Sequence, residues 1–364
     1  MQTLNDNAFM QAVGDALKQF GSLLTLSRSV LASAELLQPA LVLDAVSPSA
    51  EERGQAVQLI LRWAVARLAP TTPAPAWGSD RPFDDPTWRD PLWWGYNILR
   101  HRYLEPLHPD EFVEGGRFTE TLLNLTGISS EAVFYDVRNR AIREVAQHLR
   151  HQLRSQTANT TIRNQALHEA LAPLEKQPAL QQVLGMGALF RGVFARAWLE
   201  ELVAADRIPF ASRNINRLID LRFLRANDHG SELWLSPALR DHLYHQQNPR
   251  AVRRWQRQIA ARYEQIGDAL NAAWHWVQAG EFVRSAERLL SSSQALIHEL
   301  QIEPLHEALD VFRPHHLPPA LMLDIYLLHS DVSTQLGNPR AARRLCRAAL
   351  PLASDPTQKG RVLR

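Results

Sequence analysis

The sequence predicts a mainly α, multi-domain protein: a helix-turn-helix, a small helical unit carrying a short β-hairpin, and C-terminal helical repeats. Three observations carry that expectation. Apolar residues recur at helical spacing through most of the 364 residues, the pattern of amphipathic helices. Thr126-Gly127-Ile128 separates a short helical run from a long one that bears a face of arginines. Gly267-Asp268 and Gly337-Asn338 each close a helix, and they lie 70 positions apart.

The composition narrows the class further. A chain of this length holds about two to four domains, and 45% apolar with 21% charged residues is that of a soluble globular protein. No apolar run reaches the roughly eighteen residues of a membrane span. The opening MQTLNDNAFMQAVGDALKQF is amphipathic and mildly acidic, unlike a signal peptide. A single cysteine, Cys346, excludes an internal disulfide and a cysteine-based zinc cage, which fits the reducing cytoplasm. A net charge of +2 is too small to point to nucleic acid. Lysine occurs only at Lys18, Lys176 and Lys359, so arginine carries nearly all the positive charge, and its planar fork suits phosphate and guanine. GC-rich coding produces the same bias, so where the arginines cluster matters more than their number.

Residues 1–70 read as a helical domain of three or four amphipathic helices, through AFMQAVGDALKQF, LLTLSRSVLASAELL and AVQLILRWAVARL. Pro48 marks a turn, and Glu51 and Glu52 suit the start of the helix that follows. Residues 71–91 are a proline-rich linker. Asp80, Asp84, Asp85 and Asp90 there read as turn formers rather than a catalytic pair, and Trp88, Trp93, Trp94 and Tyr96 as anchors on a helical core.

Residues 92–155 hold the helix-turn-helix. A helix through LWWGYNILRHRYLEPL leads by the turn HPDEFVEGG to the short helix, the Gly127 turn and the long helix. Glycine accepts a left-handed conformation without steric cost, and Ser129 is a good N-cap. Phe134, Ala141, Ile142, Val145, Leu149 and Leu153 share one face; Arg140, Arg143, Gln147, Arg150 and Arg154 share another. The residues expected to face a duplex are Ser129, Ser130, Glu131, Arg138, Asn139, Arg140, Arg143 and Arg150. Ile128 and Val133 fill apolar positions of the pattern, whereas Leu123 is bulky and Asp136 polar for theirs. A merely solvated basic face fits the same residues. The layout resembles a region-four-like sigma-factor helix-turn-helix over about sixty residues.

Residues 156–177, with SQTANTTIRNQ, read as a flexible joint. In 178–248, helices in ALQQVLGMGALF, ARAWLEELVAA and SRNINRLIDLRFL, the last capped by Ser212, precede a hairpin in FLRANDHGSELWLS. Three helices, a hairpin and a further helix make a winged helix. Its third helix offers Arg213, Asn214, Asn216 and Arg217 as a second duplex-facing set, although such domains also serve purely as packing modules. Residues 249–364 read as tetratricopeptide-like repeats, since the 70-residue spacing is twice the roughly 34-residue period. Their middle unit is degenerate, and the array reads as incomplete.

The winged helix running through LSPALRDHLYHQQ into RRWQRQIAARYEQIGDALNAAWHWVQAGEFVRSAERLL resembles the maltose-regulator type of bacterial signal-transduction ATPase. That resemblance implies a transcriptional regulator whose nucleotide-binding domain precedes the winged helix. This chain departs from it. A phosphate loop needs G-x-x-x-x-G-K-[ST], and none of the three lysines has that context, while the residues between the basic helix and the winged helix are far too few for a nucleotide fold.

Other chemistry lacks support. His148 with His151, and His242 with His245, are i, i+3 pairs without a third ligand, and HExxH and GxSxG are absent. The Trp274-His275-Trp276 cluster reads as repeat core, and Cys346 as a structural thiol. The expectation is a cytoplasmic, non-enzymatic, DNA-binding regulator with no cofactor and no membrane contact, and with a protein or inducer partner on its repeats. The alternative is a protein-interaction adaptor that binds no DNA.

Overall fold

The computed structural model describes residues 5–44, 46–71, 74–75, 77–78, 82–107, 116–152 and 154–363; for 116–118, 361 and 363 only the backbone is described. The protein is mainly helical, with one three-stranded sheet among the described residues. It divides into two units, Met1–Glu175 and Lys176–Arg364. No helix of the described residues is long and apolar enough to cross a membrane.

The first unit begins with α1 (Asp6–Lys18), started by Asn5, whose side chain accepts from the Ala8 amide at 2.8 Å. The helix expected through LLTLSRSVLASAELL is broken into α2 (Leu23–Ser27) and α3 (Ala34–Leu37). The Ser27 hydroxyl donates back to the Leu24 carbonyl at 2.8 Å, and Ser29 and Ser33 are extended. Serine competing with the backbone is the physical cause. α4 (Ala50–Ala66) starts with a reciprocal capping box between Ser49 and Glu52 and buries Val57, Ile60, Leu61, Trp63 and Ala64. At Gly54 a Cβ would stand 2.3 Å from the Leu23 carbonyl oxygen, so α4 meets the backbone of α2 through a bare glycine.

The proline-rich segment is tied down by its aromatics. Trp88 is 2% exposed and donates its indole N–H to the Pro82 carbonyl at 2.7 Å, and Trp94 donates to the Trp88 carbonyl. Asp85 accepts from the amide and hydroxyl of Thr87, and Asp90 from the Leu92 amide, as turn formers do. Asp80 and residues 108–115 lie outside the described residues. α5 (Trp94–Leu99) continues as a π-helical turn over Arg100–Leu104. That wider turn carries Arg100 into the interior, where it donates to Glu105 at 2.7 Å and to the Tyr96 hydroxyl at 3.1 Å and lies 5.1 Å from the Trp77 ring.

α6 (Gly116–Thr126) and α7 (Glu131–Gln152) follow. α7 packs against α1, α4, α5 and α6, burying Phe134, Ala141, Ile142, Val145 and Leu149; Leu153, expected on this face, is not among the described residues. Each such side chain contributes roughly 1.5–3 kcal/mol where it is large. The stretch expected to be a flexible joint is instead α8 (Gln156–Leu171), which packs on α4 and α7. The Ser155 side chain caps it by accepting from the Ala158 amide, and Ala158, Ile162, Ala166 and Leu167 form a buried stripe too thin to notice in a polar sequence.

The second unit opens with α9 (Pro178–Gly187), β1 (Phe194–Ala195), α10 (Arg196–Ala205) and α11 (Ala211–Asp220). β2 (Arg225–Ala226) and β3 (Glu232–Trp234) make the expected hairpin. β1, which the sequence pattern does not mark, pairs antiparallel with the other side of β3, Phe194 opposite Leu233, so the sheet order is β1-β3-β2. α12 (Pro237–Gln246) packs on α9.

α13 (Pro249–Gln265), α14 (Ala269–Gln278), α15 (Phe282–His298), α16 (Ile302–Leu309), α17 (Pro319–Gln335), α18 (Pro339–Ala349) and α19 (Pro356–Leu363) complete the chain. Gly267 (φ 83°) ends α13 and Gly337 (φ 73°) ends α17. Asp268 and Asn338 then cap the next helices by accepting from the Asn271 and Ala341 amides. Between them α15 ends at Leu300, which takes the same left-handed conformation (φ 59°) while 82% exposed. A branched side chain in that region is strained.

Two stability changes follow. Gly54→Ala drives a methyl into the α2 backbone and is expected to destabilise the first unit by about 3 kcal/mol, read from the urea midpoint; a loss under a few tenths would contradict the close approach. Leu300→Gly relieves the left-handed strain and is expected to stabilise the second unit by about 0.5–1 kcal/mol despite the added chain entropy, checked the same way.

Candidate nucleic-acid interface

The first candidate is the α6–α7 turn. The Thr126 hydroxyl donates to the Leu122 carbonyl at 2.7 Å, Gly127 turns left-handed (φ 73°), and Ile128 packs with Trp88, Ile98, Leu122 and Phe134. The N-cap of α7 is Ser130, not Ser129 as expected: its hydroxyl accepts from the Val133 amide at 3.4 Å and its carbonyl from the Phe134 amide. The helix starts one residue later than expected, and Phe134, at its fourth position, is its first buried side chain. Ser129, Ser130 and Glu131 are exposed. Val133, expected to be an apolar packing position, is 41% exposed.

Along α7, Asn139, Arg140 and Arg143 are exposed, but so are Asp136 and Glu144 on the same stripe. Residues four apart face each other on a helix, so Arg140 has a carboxylate one turn away on both sides. Arg138 is half-buried, its guanidinium 5.4 Å from the Tyr135 ring and its Nε without a hydrogen-bond partner. Arg150 does not join the outward stripe. It is paired with Asp6 of α1 and lies 4.9 Å from the Phe9 ring, so its charge holds two helices together. The sequence periodicity groups Arg150 with Arg140 and Arg143; only the arrival of α1 separates them.

The second candidate is α11. Ile215 and Leu218 are fully buried, and Arg213, Asn216 and Arg217 project outward, exposed. No carboxylate pairs with Arg213 or Arg217 among the described residues. Asn214 is half-buried and donates to the Pro209 carbonyl at 3.0 Å, so it builds the turn rather than the outer face. Ser212 is not the expected N-cap: its hydroxyl donates to Glu200 at 2.8 Å, and Phe210 occupies the cap. Phe210 is left-handed (φ 58°, ψ 45°) and 72% exposed. Arg207 (φ 59°) and Arg222 (φ 63°) are left-handed as well, so strained residues stand on both sides of α11. A groove of about 640 Å³ runs past Leu180, Phe210, Arg213, Asn216, Arg217 and Asp220. Phe210 is the functional candidate the sequence pattern misses, because a lone phenylalanine before a helix normally reads as core.

Elsewhere the second unit buries a polar cluster. His275 is wholly buried, hydrogen-bonded through Nδ1 to Gln256 and stacked 5.1 Å from the Tyr263 ring. Burial, with the nearby Arg191 charge second, lowers its pKa to about 3, and burial pushes the Tyr263 hydroxyl up to about 12. With Trp276 also buried, this cluster is core. No group of three or more potential metal ligands is assembled among the described residues.

A histidine held neutral in the fold but free to protonate near 6.5 when unfolded costs stability in acid. The unfolded chain binds more protons between pH 6.5 and about 3, so the contribution is full above 6.5 and declines as pH falls through that window. His101 and His329, lowered by burial to about 4, act in the same direction. The urea midpoint is therefore expected to drop between pH 7.5 and 4.5, and His275→Phe to flatten that drop; an identical pH slope in the variant would refute the assignment.

The chain matches no protein-family model, no curated protein and no solved structure.

Proposed function

We propose that this chain is a cytoplasmic, non-enzymatic, DNA-binding transcriptional regulator in which residues 178–248 form a winged helix and α11 meets the duplex. The observation that carries this reading is the α11 surface: Arg213, Asn216 and Arg217 exposed on one short helix, beside an exposed, strained Phe210. Arginine and asparagine are the side chains that read guanine and adenine edges and grip phosphate. Backbone strain concentrates where function needs a fixed geometry. The α6–α7 pair, read as a helix-turn-helix, is the second basic element, with Ser129, Ser130, Arg140 and Arg143 facing outward. The helices after α12, read as tetratricopeptide-like repeats, take the sensing or partner-binding role that the maltose-regulator resemblance implies, without a nucleotide switch because the chain carries no phosphate loop.

The mixed charge of the α7 stripe favours a second reading. With Asp136 and Glu144 beside Arg140, and Arg150 committed to Asp6, the first unit serves as a scaffold in an adaptor whose repeats bind a protein.

A titration of the full chain onto labelled duplex at two salt concentrations separates the readings. Arg213→Ala with Arg217→Ala is expected to weaken binding about tenfold or more and to lower the slope of log affinity against log salt by about 2, one for each lost phosphate contact. The same losses on Arg140→Ala with Arg143→Ala, and not on the α11 pair, would move the duplex to α7. No salt-dependent binding by the unaltered chain would sink the DNA reading and leave the adaptor.

A further inference from the structure

Among the repeat helices of the second unit lies a cavity of about 220 Å³, walled by Leu270, Val277, Leu289 and Ala308. It is smaller than the roughly 300 Å³ at which drug-sized pockets begin, so it suits a ligand the size of a single amino acid. Besides Ser285, whose hydroxyl is spent on the Ala273 carbonyl at 2.8 Å, three polar side chains from three separate elements line it: Arg191 from the loop before β1, Gln278 from the end of α14, and Glu307 from α16.

Each of these groups has capacity left over. Arg191 is exposed and lies over Trp274, 6.0 Å from the ring, with no carboxylate partner among the described residues. The cation–π contact leaves its donor fork open, and that fork matches a carboxylate. Gln278 uses its carbonyl oxygen to accept from the Tyr244 hydroxyl at 2.9 Å. Its amide group is thereby oriented, with both N–H donors still to offer. Glu307 is exposed and makes no ion pair among the described residues. The cavity thus presents apolar walls, two sets of donors for an anion and one carboxylate for a cation.

A ligand matching this set carries a carboxylate and an ammonium next to an apolar body. We propose that the cavity binds a free apolar α-amino acid, with its carboxylate on Arg191 and Gln278, its ammonium on Glu307, and its side chain against Leu270, Val277 and Leu289. Bound there, the ligand joins the Arg191 loop to α14 and α16 and stabilises that part of the repeats by mass action. The inference does not depend on whether α11 binds DNA.

Melting temperature and calorimetric titration of the full chain test it, using L-leucine and L-phenylalanine. Leucinamide removes the carboxylate charge, and 4-methylpentanoate removes the ammonium. At least one of the two amino acids is expected to bind and to raise the melting temperature at millimolar concentration. Both analogues of leucine should bind about tenfold or more weakly than it does, since each loses a charge-assisted contact. Arg191→Ala and Glu307→Gln, both at exposed positions, should each weaken binding to a similar degree while leaving the ligand-free melting temperature unchanged. The proposal is overturned if neither amino acid binds, if 4-methylpentanoate binds as well as leucine, or if both variants bind as the unaltered chain does.

Discussion

Where the helices stop is the constraint on which both units depend. A chain this rich in amphipathic sequence packs only if each helix ends in time for the next to fold back beside it. Gly127, Gly267 and Gly337 end helices in the left-handed conformation, and Ser49, Ser130, Asp268 and Asn338 supply acceptors for the first unpaired amides of the helices that follow. Moving such a stop by one residue rotates the next helix by about 100°, enough to turn a buried stripe toward water. Where the stop is made by Leu300 or Arg207 instead of glycine, the same geometry is reached with strain.

The two arginine-bearing helices differ because of what surrounds them. α7 is a long helix packed on several others, and its surface is shared out among them: Arg150 bridges to α1, Arg138 leans on Tyr135, and the remaining exposed stripe alternates in sign. α11 is short and buries only Ile215 and Leu218 fully. Its outer face keeps Arg213 and Arg217 out of ion pairs among the described residues, with Asp220 its one exposed carboxylate, while Asn214 and Ser212 are spent on the turn and on Glu200. A basic stripe therefore says little until its carboxylate neighbours are known, since charges a few ångströms apart largely cancel in the far field.

The second unit also separates polar groups that serve packing from those that face outward. Gln256 and the His275 Nδ1 are hydrogen-bonded to one another in the interior beside Tyr263. Arg191, whose charge adds to burial in lowering the His275 pKa, stands at the edge of that interior over Trp274. Burial alone already favours the neutral imidazole, and the guanidinium nearby favours it further.

By itself the sequence determined the helical class, the Gly127 turn, the β2–β3 hairpin and the Gly267 and Gly337 stops, because periodicity, turn chemistry and capping act over a few residues. It also marked Asp85 and Asp90 as turn formers and Trp88 as an anchor. Tertiary structure alone decided the rest. β1 exists because β3 has a free edge; α8 is a helix because α4 and α7 cover its thin stripe; Gly54 matters because α2 passes against it. Arg150 left the outward stripe because Asp6 and Phe9, more than 140 positions earlier, came to meet it. These outcomes depend on which surfaces come together across long stretches of chain, and spacing along a single helix carries no record of its partner.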